Sequence, residues 1–255
     1  MKDLEKSEQA FYEEILATMR RTGEIGDVFP RMVAYNVPAY VLGVFWPEER
    51  TRLIASNEFP AFCIAEKDWR GRIENLHSTV KDEAGNPILT FEKSYVMQCD
   101  TMYVVANAGA GLALCRIPRS PGQVWTSRAE ASVVFNASDG SSSRDHFIVQ
   151  GKESLSPGQF IALTKRQYTV AGITIPRREI TGVAMLSIAL LEHHGVSVAP
   201  VRSKCDDILA RRTGGLDKES VILATEVFRF FQEHSRGIQL HPFWERAAGM
   251  FRIPN

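Results

Sequence analysis

From Val183 to Leu191 the chain reads VAMLSIALL, apolar at every position but Ser187. A helix that is apolar all round has no face to give to water and must be buried. The run also falls well short of the ~20 apolar residues that a membrane span needs. Pro176 suits the first turn of this helix, where its fixed φ is already helical and its missing N–H is not needed. Gly195 suits the position just past its end, where the backbone turns left-handed.

A second helical pattern begins after Gly195. Val198, Val201, Cys205, Ile208 and Leu209 recur at steps of three and four, which puts them on one face, and Arg202, Lys204, Arg211 and Arg212 fall elsewhere on the helix. Two helices joined by a tight Gly-containing turn are the framework of a helix-turn-helix, whose second helix lies in the DNA major groove. The expectation is therefore a non-enzymatic DNA-associated regulator or accessory protein, in which Arg202, Lys204, Arg211 and Arg212 touch phosphates or bases. Asp206 and Asp207 oppose that use by repelling phosphates. The plain alternative is a buried helical hairpin that binds nothing.

Composition neither supports nor excludes a nucleic-acid partner. The chain has 30 basic and 30 acidic side chains, so no global field attracts a polyanion. The acidic excess lies in residues 1–100 and the basic excess in 101–255, which permits phosphate contacts. With 255 residues the chain is long enough for one large domain or two small ones. The start, MKDLEKSEQAFYEEIL, has no apolar core of a secretory signal, so a soluble cytoplasmic protein without membrane contact is expected. Cys63, Cys99, Cys115 and Cys205 are far apart and read as buried thiols, not as a zinc site.

Residues 3–21 form an amphipathic pattern, with Leu4, Phe11, Ile15 and Met19 on one side, Tyr12 and Leu16 beside them, and Gly23 as the stop. That stripe is either core or the surface for a homo-oligomer or assembly partner. Val28–Trp46 is apolar and broken by Pro30 and Pro38. A buried strand is expected over Tyr40–Trp46, and Pro47 opens a short helix.

Between about 60 and 175 short β-rich runs alternate with turns. They are Arg72–Val80, Pro87–Met97, Thr101–Ala106, Leu112–Ile117, Val124–Phe135, His146–Gln150, Gln159–Leu163 and Gln167–Ile173. Beyond them, Asp217 caps a helix from Lys218 to about His234, and a last short helix covers Pro242–Met250. The fold class expected is α+β: an antiparallel meander sheet or partial barrel, preceded by one helix and followed by a helical C-terminal part. The domains expected are 1–175 and 176–255.

Few residues suggest catalysis, and neither a cofactor nor a metal site is expected. Asn107–Gly111 has two glycines but is followed by a strand, so it reads as a hairpin and not as a phosphate loop. His193 and His194 point about 100° apart on a helix, which is poor geometry for one metal. A second reading is a hydrolase or transferase with its cleft between the sheet and the C-terminal helices. It would use Cys205, its thiol lowered by a helix N-terminus and by Arg202 and Lys204, with His194 as base. Alternatively it would use Asp145 and His146 beside Ser141, Ser142 and Ser143.

Overall fold

The structure is a computed structural model that describes residues 2–67, 75–109, 111–127, 135–136, 143–144 and 146–251. The chain divides into two compact units. A sheet unit is built mainly from Val37–Val134 and Arg144–Ala171, and a helical unit mainly from Asp3–Asn36 and Gly172–Asn255.

In the helical unit, α1 (Glu8–Thr22) starts on Ser7, whose side chain accepts from the Ala10 amide, and stops at Gly23, where φ is +71°. Its stripe of Phe11, Tyr12, Ile15, Leu16 and Met19 is buried. After α2 (Ile25–Ala34) come α5 (Lys165–His193), which belongs to this unit from Gly172 onward, α6 (Arg202–Gly214), α7 (Lys218–His234) and α8 (Phe243–Ala247). Two shorter helices, α3 (Tyr40–Phe45) and α4 (Pro47–Ser56), belong to the sheet unit. Every residue from Val183 to Leu191 is buried, as an all-apolar helix requires. Asp217 closes a capping box with Ser220 at the start of α7, as its sequence position predicts.

Two proline-containing stretches depart from expectation. The strand expected over Gln167–Ile173 is helix, because α5 begins eleven residues before Pro176. Thr164 and Gln167 cap that start reciprocally. The Gln167 amide donates to Thr164 Oγ1 at 3.1 Å, and the Thr164 amide donates to Gln167 Oε1 at 2.8 Å. The T-x-x-Q signal outweighs the β-branched residues behind it. The strand expected over Tyr40–Trp46 is likewise helix, α3, following a π-helical turn at Tyr35–Ala39 that contains Pro38. A wider turn is a common way for a helix to absorb a proline that cannot donate its bond. The helical run Ile25–Phe45 also has the length and composition of a membrane span, although its prolines hide this in the sequence, and 61% of an apolar 18-residue window within it is buried inside the protein.

Among the described residues the sheet unit holds eight strands. They are β1 (Pro60–Cys63), β2 (Thr79–Glu83), β3 (Asn86–Met97), β4 (Thr101–Ala108), β5 (Gly111–Pro118), β6 (Val124–Ser127), β9 (His146–Ser154) and β10 (Phe160–Leu163). The two-residue strands β7 (Phe135–Asn136) and β8 (Ser143–Arg144) pair separately. The protein is thus mixed α+β with a mostly antiparallel sheet, but the meander is not found. The order is β10-β5-β4-β2-β3-β9-β6, with β1 also on β4, and β1 and β2 both run parallel to β4. Parallel neighbours need crossover connections, which a meander lacks. Cys63 and Cys115 both pair with Val104, one from each side of β4.

The interior of the helical unit is tied by polar groups. Arg212, with no exposed side-chain surface, pairs its Nε with Glu8 at 2.8 Å. It also donates to Asn36 Oδ1 at 2.6 Å, to the Arg178 carbonyl at 3.0 Å and to Thr181 Oγ1, while its guanidinium lies 4.0 Å from the Tyr12 ring centre. Gly182 makes the close approach possible, since a Cβ there would lie 2.5 Å from Met32 Sδ and 2.8 Å from Tyr12 Oη. Met32 can swing aside, but Tyr12 is held by its bond to Asn36. Gly182→Ala is therefore expected to cost about 1–3 kcal/mol of overpacking, read from urea unfolding curves. An unchanged midpoint would show that the helices part without cost.

Candidate functional site at the bulge of β3

Strand β3 pairs with β9 in steady register from Ile88 to Lys93, then slips, and resumes at Val96. The slip is a β-bulge, a feature that re-aims a side chain and is over-represented beside active sites. Tyr95 lies within it at φ +59°, a left-handed conformation that is costly for a residue with a Cβ, and its side chain is 56% exposed. Backbone strain of this kind persists only where the surroundings impose it.

Those surroundings are a buried ion pair and the loop behind β1. Lys93 is fully buried, and its ammonium donates to Glu66 Oε1 at 2.5 Å, to the Val105 carbonyl at 2.7 Å and to the Ile64 carbonyl at 3.3 Å. The Glu66 carboxylate also accepts from the amides of His77 and Ser78. The Ser94 amide, inside the bulge, donates to the Ala65 carbonyl at 2.8 Å. Burial pulls the Lys93 ammonium below its usual range, against the pull of Glu66. Burial opposes the Glu66 charge, yet Lys93 and the donors around it hold that carboxyl below the ordinary carboxylate range. On the neighbouring strands Trp125 and Phe147 meet edge-on at 5.5 Å, and the Arg119 guanidinium sits 4.6 Å from the Trp125 ring centre.

The four cations expected to meet DNA are engaged elsewhere. Arg202 pairs with Glu192, and Lys204 with Glu226. Arg211 pairs with Asp217 at 3.2 Å and Glu219 at 2.9 Å, and Arg212 is the buried hub of the helical unit. The link between the helices is also wrong for a helix-turn-helix. Residues 194–201, including the 3-10 turn Ala199–Val201, separate α5 from α6, where the motif takes a turn of three or four.

Of the expected hydrolytic groups, the structure speaks to the Cys205 thiol. Cys205 is partly buried in a groove of about 260 Å³ with Leu16, Met185, Ile188 and Leu209. Burial pushes its thiol up to about 12, the reverse of an activated nucleophile. Asp145, Ser141 and Ser142 lie outside the described residues, as do Arg72 and much of the strand expected over Val124–Phe135. No group of three or more His, Cys, Asp and Glu side chains suited to a metal occurs among the described residues.

No family model matches the chain, and no curated protein does. Solved structures do. Butyryl-CoA dehydrogenase from Megasphaera elsdenii aligns with 95% of this chain and 77% of its own, at TM-score 0.70 and 12% identity. The fold is acyl-CoA dehydrogenase-like. Glutaryl-CoA dehydrogenase from Mycobacterium smegmatis, in complex with FADH2, covers 97% of this chain and 76% of its own at TM-score 0.61 and 12% identity. PigA with FAD and proline covers 96% and 75% at TM-score 0.64 and 14% identity. This likeness overturns the reading as a DNA-binding, helix-turn-helix regulator and gives the hydrolase or transferase alternative no support. The hairpin of α5 and α6 is part of an acyl-CoA dehydrogenase-like fold, and the apolar face expected to back a recognition helix packs inside the helical unit.

Sequence reasoning missed the bulge because its signal is faint. Tyr95 looks like one more residue of a β-rich run, and only Lys93, a charge at a core-facing position of that run, marks the place. It missed Glu179 of α5 as well. That residue keeps some surface in solvent, but its carboxyl is surrounded by protein, and burial raises it to about 7.

Two arginines of α6 should differ sharply in their worth. Removing the buried side chain in Arg212→Ala takes one partner each from Glu8, Asn36 and Thr181, which keep Arg178, Tyr12 and backbone carbonyls respectively, and leaves a cavity against Tyr12, so it is expected to cost about 2–5 kcal/mol. Arg202→Ala, at a half-exposed surface pair, should change stability by about 0–1 kcal/mol. Equal losses in urea titrations would contradict this assignment. For Glu179 a raised carboxyl favours folding fully below its ordinary value of 4.5, and that contribution is lost as pH rises towards 7. Melting temperatures of wild type and Glu179→Gln should therefore diverge between those limits, with wild type losing more. Parallel curves would place the carboxyl in ordinary solvent.

Proposed function

We propose that this protein is a flavin-dependent dehydrogenase whose flavin lies against the bulge of β3. The observation that carries the reading is the exposed ring of Tyr95, fixed in a strained left-handed backbone on an acyl-CoA dehydrogenase-like sheet. A flavin nucleotide is planar and aromatic at one end and anionic at its phosphates. The sheet unit carries side chains suited to both parts: Tyr95, an aromatic ring 56% exposed at the bulge, and Arg119, an exposed cation over Trp125 on the same sheet. A flavin bound there supplies a two-electron acceptor for hydride from an organic substrate. The sheet residues would hold and orient it, and the buried Lys93–Glu66 pair would keep their backbone from shifting.

The names of the structural neighbours cover butyryl-CoA, glutaryl-CoA and a complex with proline. The proposed substrate is therefore an organic molecule oxidised by hydride loss, either an acyl thioester or an amino-acid derivative. A soluble, cytoplasmic setting belongs to the same proposal, and its soluble part is supported by the 61% burial of the apolar window within Ile25–Phe45. An oligomer formed through α1 would have to use its charged face, because its apolar stripe is spent inside the helical unit.

Titration of the purified protein with FAD, followed by quenching of flavin fluorescence, tests the reading. Micromolar or tighter binding, about −8 kcal/mol, is expected. Tyr95→Ser should weaken it by about 0.5–1.5 kcal/mol, the worth of one aromatic contact. Flavin that stays free at millimolar protein, or a Tyr95→Ser variant that binds FAD as wild type does, would rule out the proposed wall.

A further inference from the structure

Lys93 is an odd occupant of its site. It faces Val149 of β9 across the sheet, beside the apolar cluster formed by Leu89, Phe91, Val96 and Val104. A methionine there would remove the cost of dehydrating an ammonium, and buried ion pairs are frequently no better for stability than apolar residues of similar size. Unlike a methionine, the pair joins four backbone segments. The ammonium reaches the loop at Ile64 and strand β4 at Val105, and its carboxylate partner reaches the amides of His77 and Ser78 just before β2. Those segments meet beneath Ser94, whose amide bonds the Ala65 carbonyl one residue before the strained Tyr95.

We infer that Lys93 and Glu66 are positioning residues, which fix the loop Ile64–Lys67 to the bulge and so hold the Tyr95 ring in one orientation for its ligand. The fold does not need this link, since β3 is paired along both arms of the bulge without it. The link is needed to keep Ser94 and Tyr95 from relaxing out of the left-handed turn, a change the strain itself favours. The ligand identity rests on the proposed flavin; the positioning role does not.

The test uses the full chain with Lys93→Met and Glu66→Gln together, so that no buried charge is left unpaired and one acceptor remains for the His77 and Ser78 amides. Amide hydrogen exchange, measured without ligand, is expected to quicken about tenfold or more at Ile64–Lys67 and Ser94–Val96, with the rest of the sheet unchanged. FAD affinity should fall by roughly tenfold, the smaller end of what lost outer partners cost a bound group. Exchange that stays slow at the bulge overturns the inference, and so does exchange that quickens evenly over the whole sheet, which would make the pair a general stabiliser. Wild-type protein that does not bind FAD would defeat the functional reading alone, and the exchange result would still decide the positioning role. If the double variant does not fold, Glu66→Gln by itself keeps both carbonyl acceptors of Lys93 and is judged by the same local exchange.

Discussion

The helical unit depends on one buried cation. Arg212 carries a full charge into a place without water, which is tolerable only because each side of its guanidinium finds an acceptor or a ring. Those partners come from α1, α5 and the turn after α2, so none of these can be re-packed against α6 without unmatching the charge. Apolar packing supplies the driving force of the unit, since Val183–Leu191 and the stripe of α1 are sealed from solvent. The hydrogen bonds of Arg212 select one arrangement among the many that such oily helices would accept. Gly182 contributes by absence, allowing Tyr12 and Met32 to come against α5.

The sheet unit repeats this logic with Lys93. In both places a long cationic side chain crosses an apolar layer to reach carbonyl and carboxylate oxygens on segments distant in sequence. A basic residue within a helix or strand reads as surface, and only the core-facing phase of Lys93 beside Leu89 and Phe91 hints otherwise. Periodicity alone even puts Arg212 on the outer, DNA-facing side of its helix. The neighbouring Arg211 does lie at the surface, paired with Asp217 and Glu219. Two adjacent arginines on one helix thus have opposite fates, set by a rotation of about 100°.

Most elements are legible where local chemistry is strong. Asp217 before Lys218, Gly23 after α1 and the Gly-containing hairpins at 84–85 and 109 each fix a boundary through capping or a left-handed residue. Legibility fails in two kinds of place. Around Pro38 and Pro176 a proline reads as an element boundary, although a π-helical turn or a well-capped longer helix can carry it. In the sheet, strands such as Thr101–Ala108 and Gly111–Pro118 are readable, but β1 is missed and strand order is not legible, since nothing local in Pro60–Cys63 says that it will lie parallel to β4. The bulge at Tyr95 depends on that order, and so the site stays hidden.

The flanking of Val104 by Cys63 and Cys115 has a consequence for how the protein meets oxidants. Two strand spacings, about 9.6 Å, separate their Cα positions, and a disulfide needs less than about 7 Å. Burial also pushes both thiols up to about 12, so neither is a ready thiolate. Joining them would require β4 to leave the middle of the sheet. The sheet unit therefore has no covalent staple to gain from this pair in an oxidising compartment and none to lose in a reducing one.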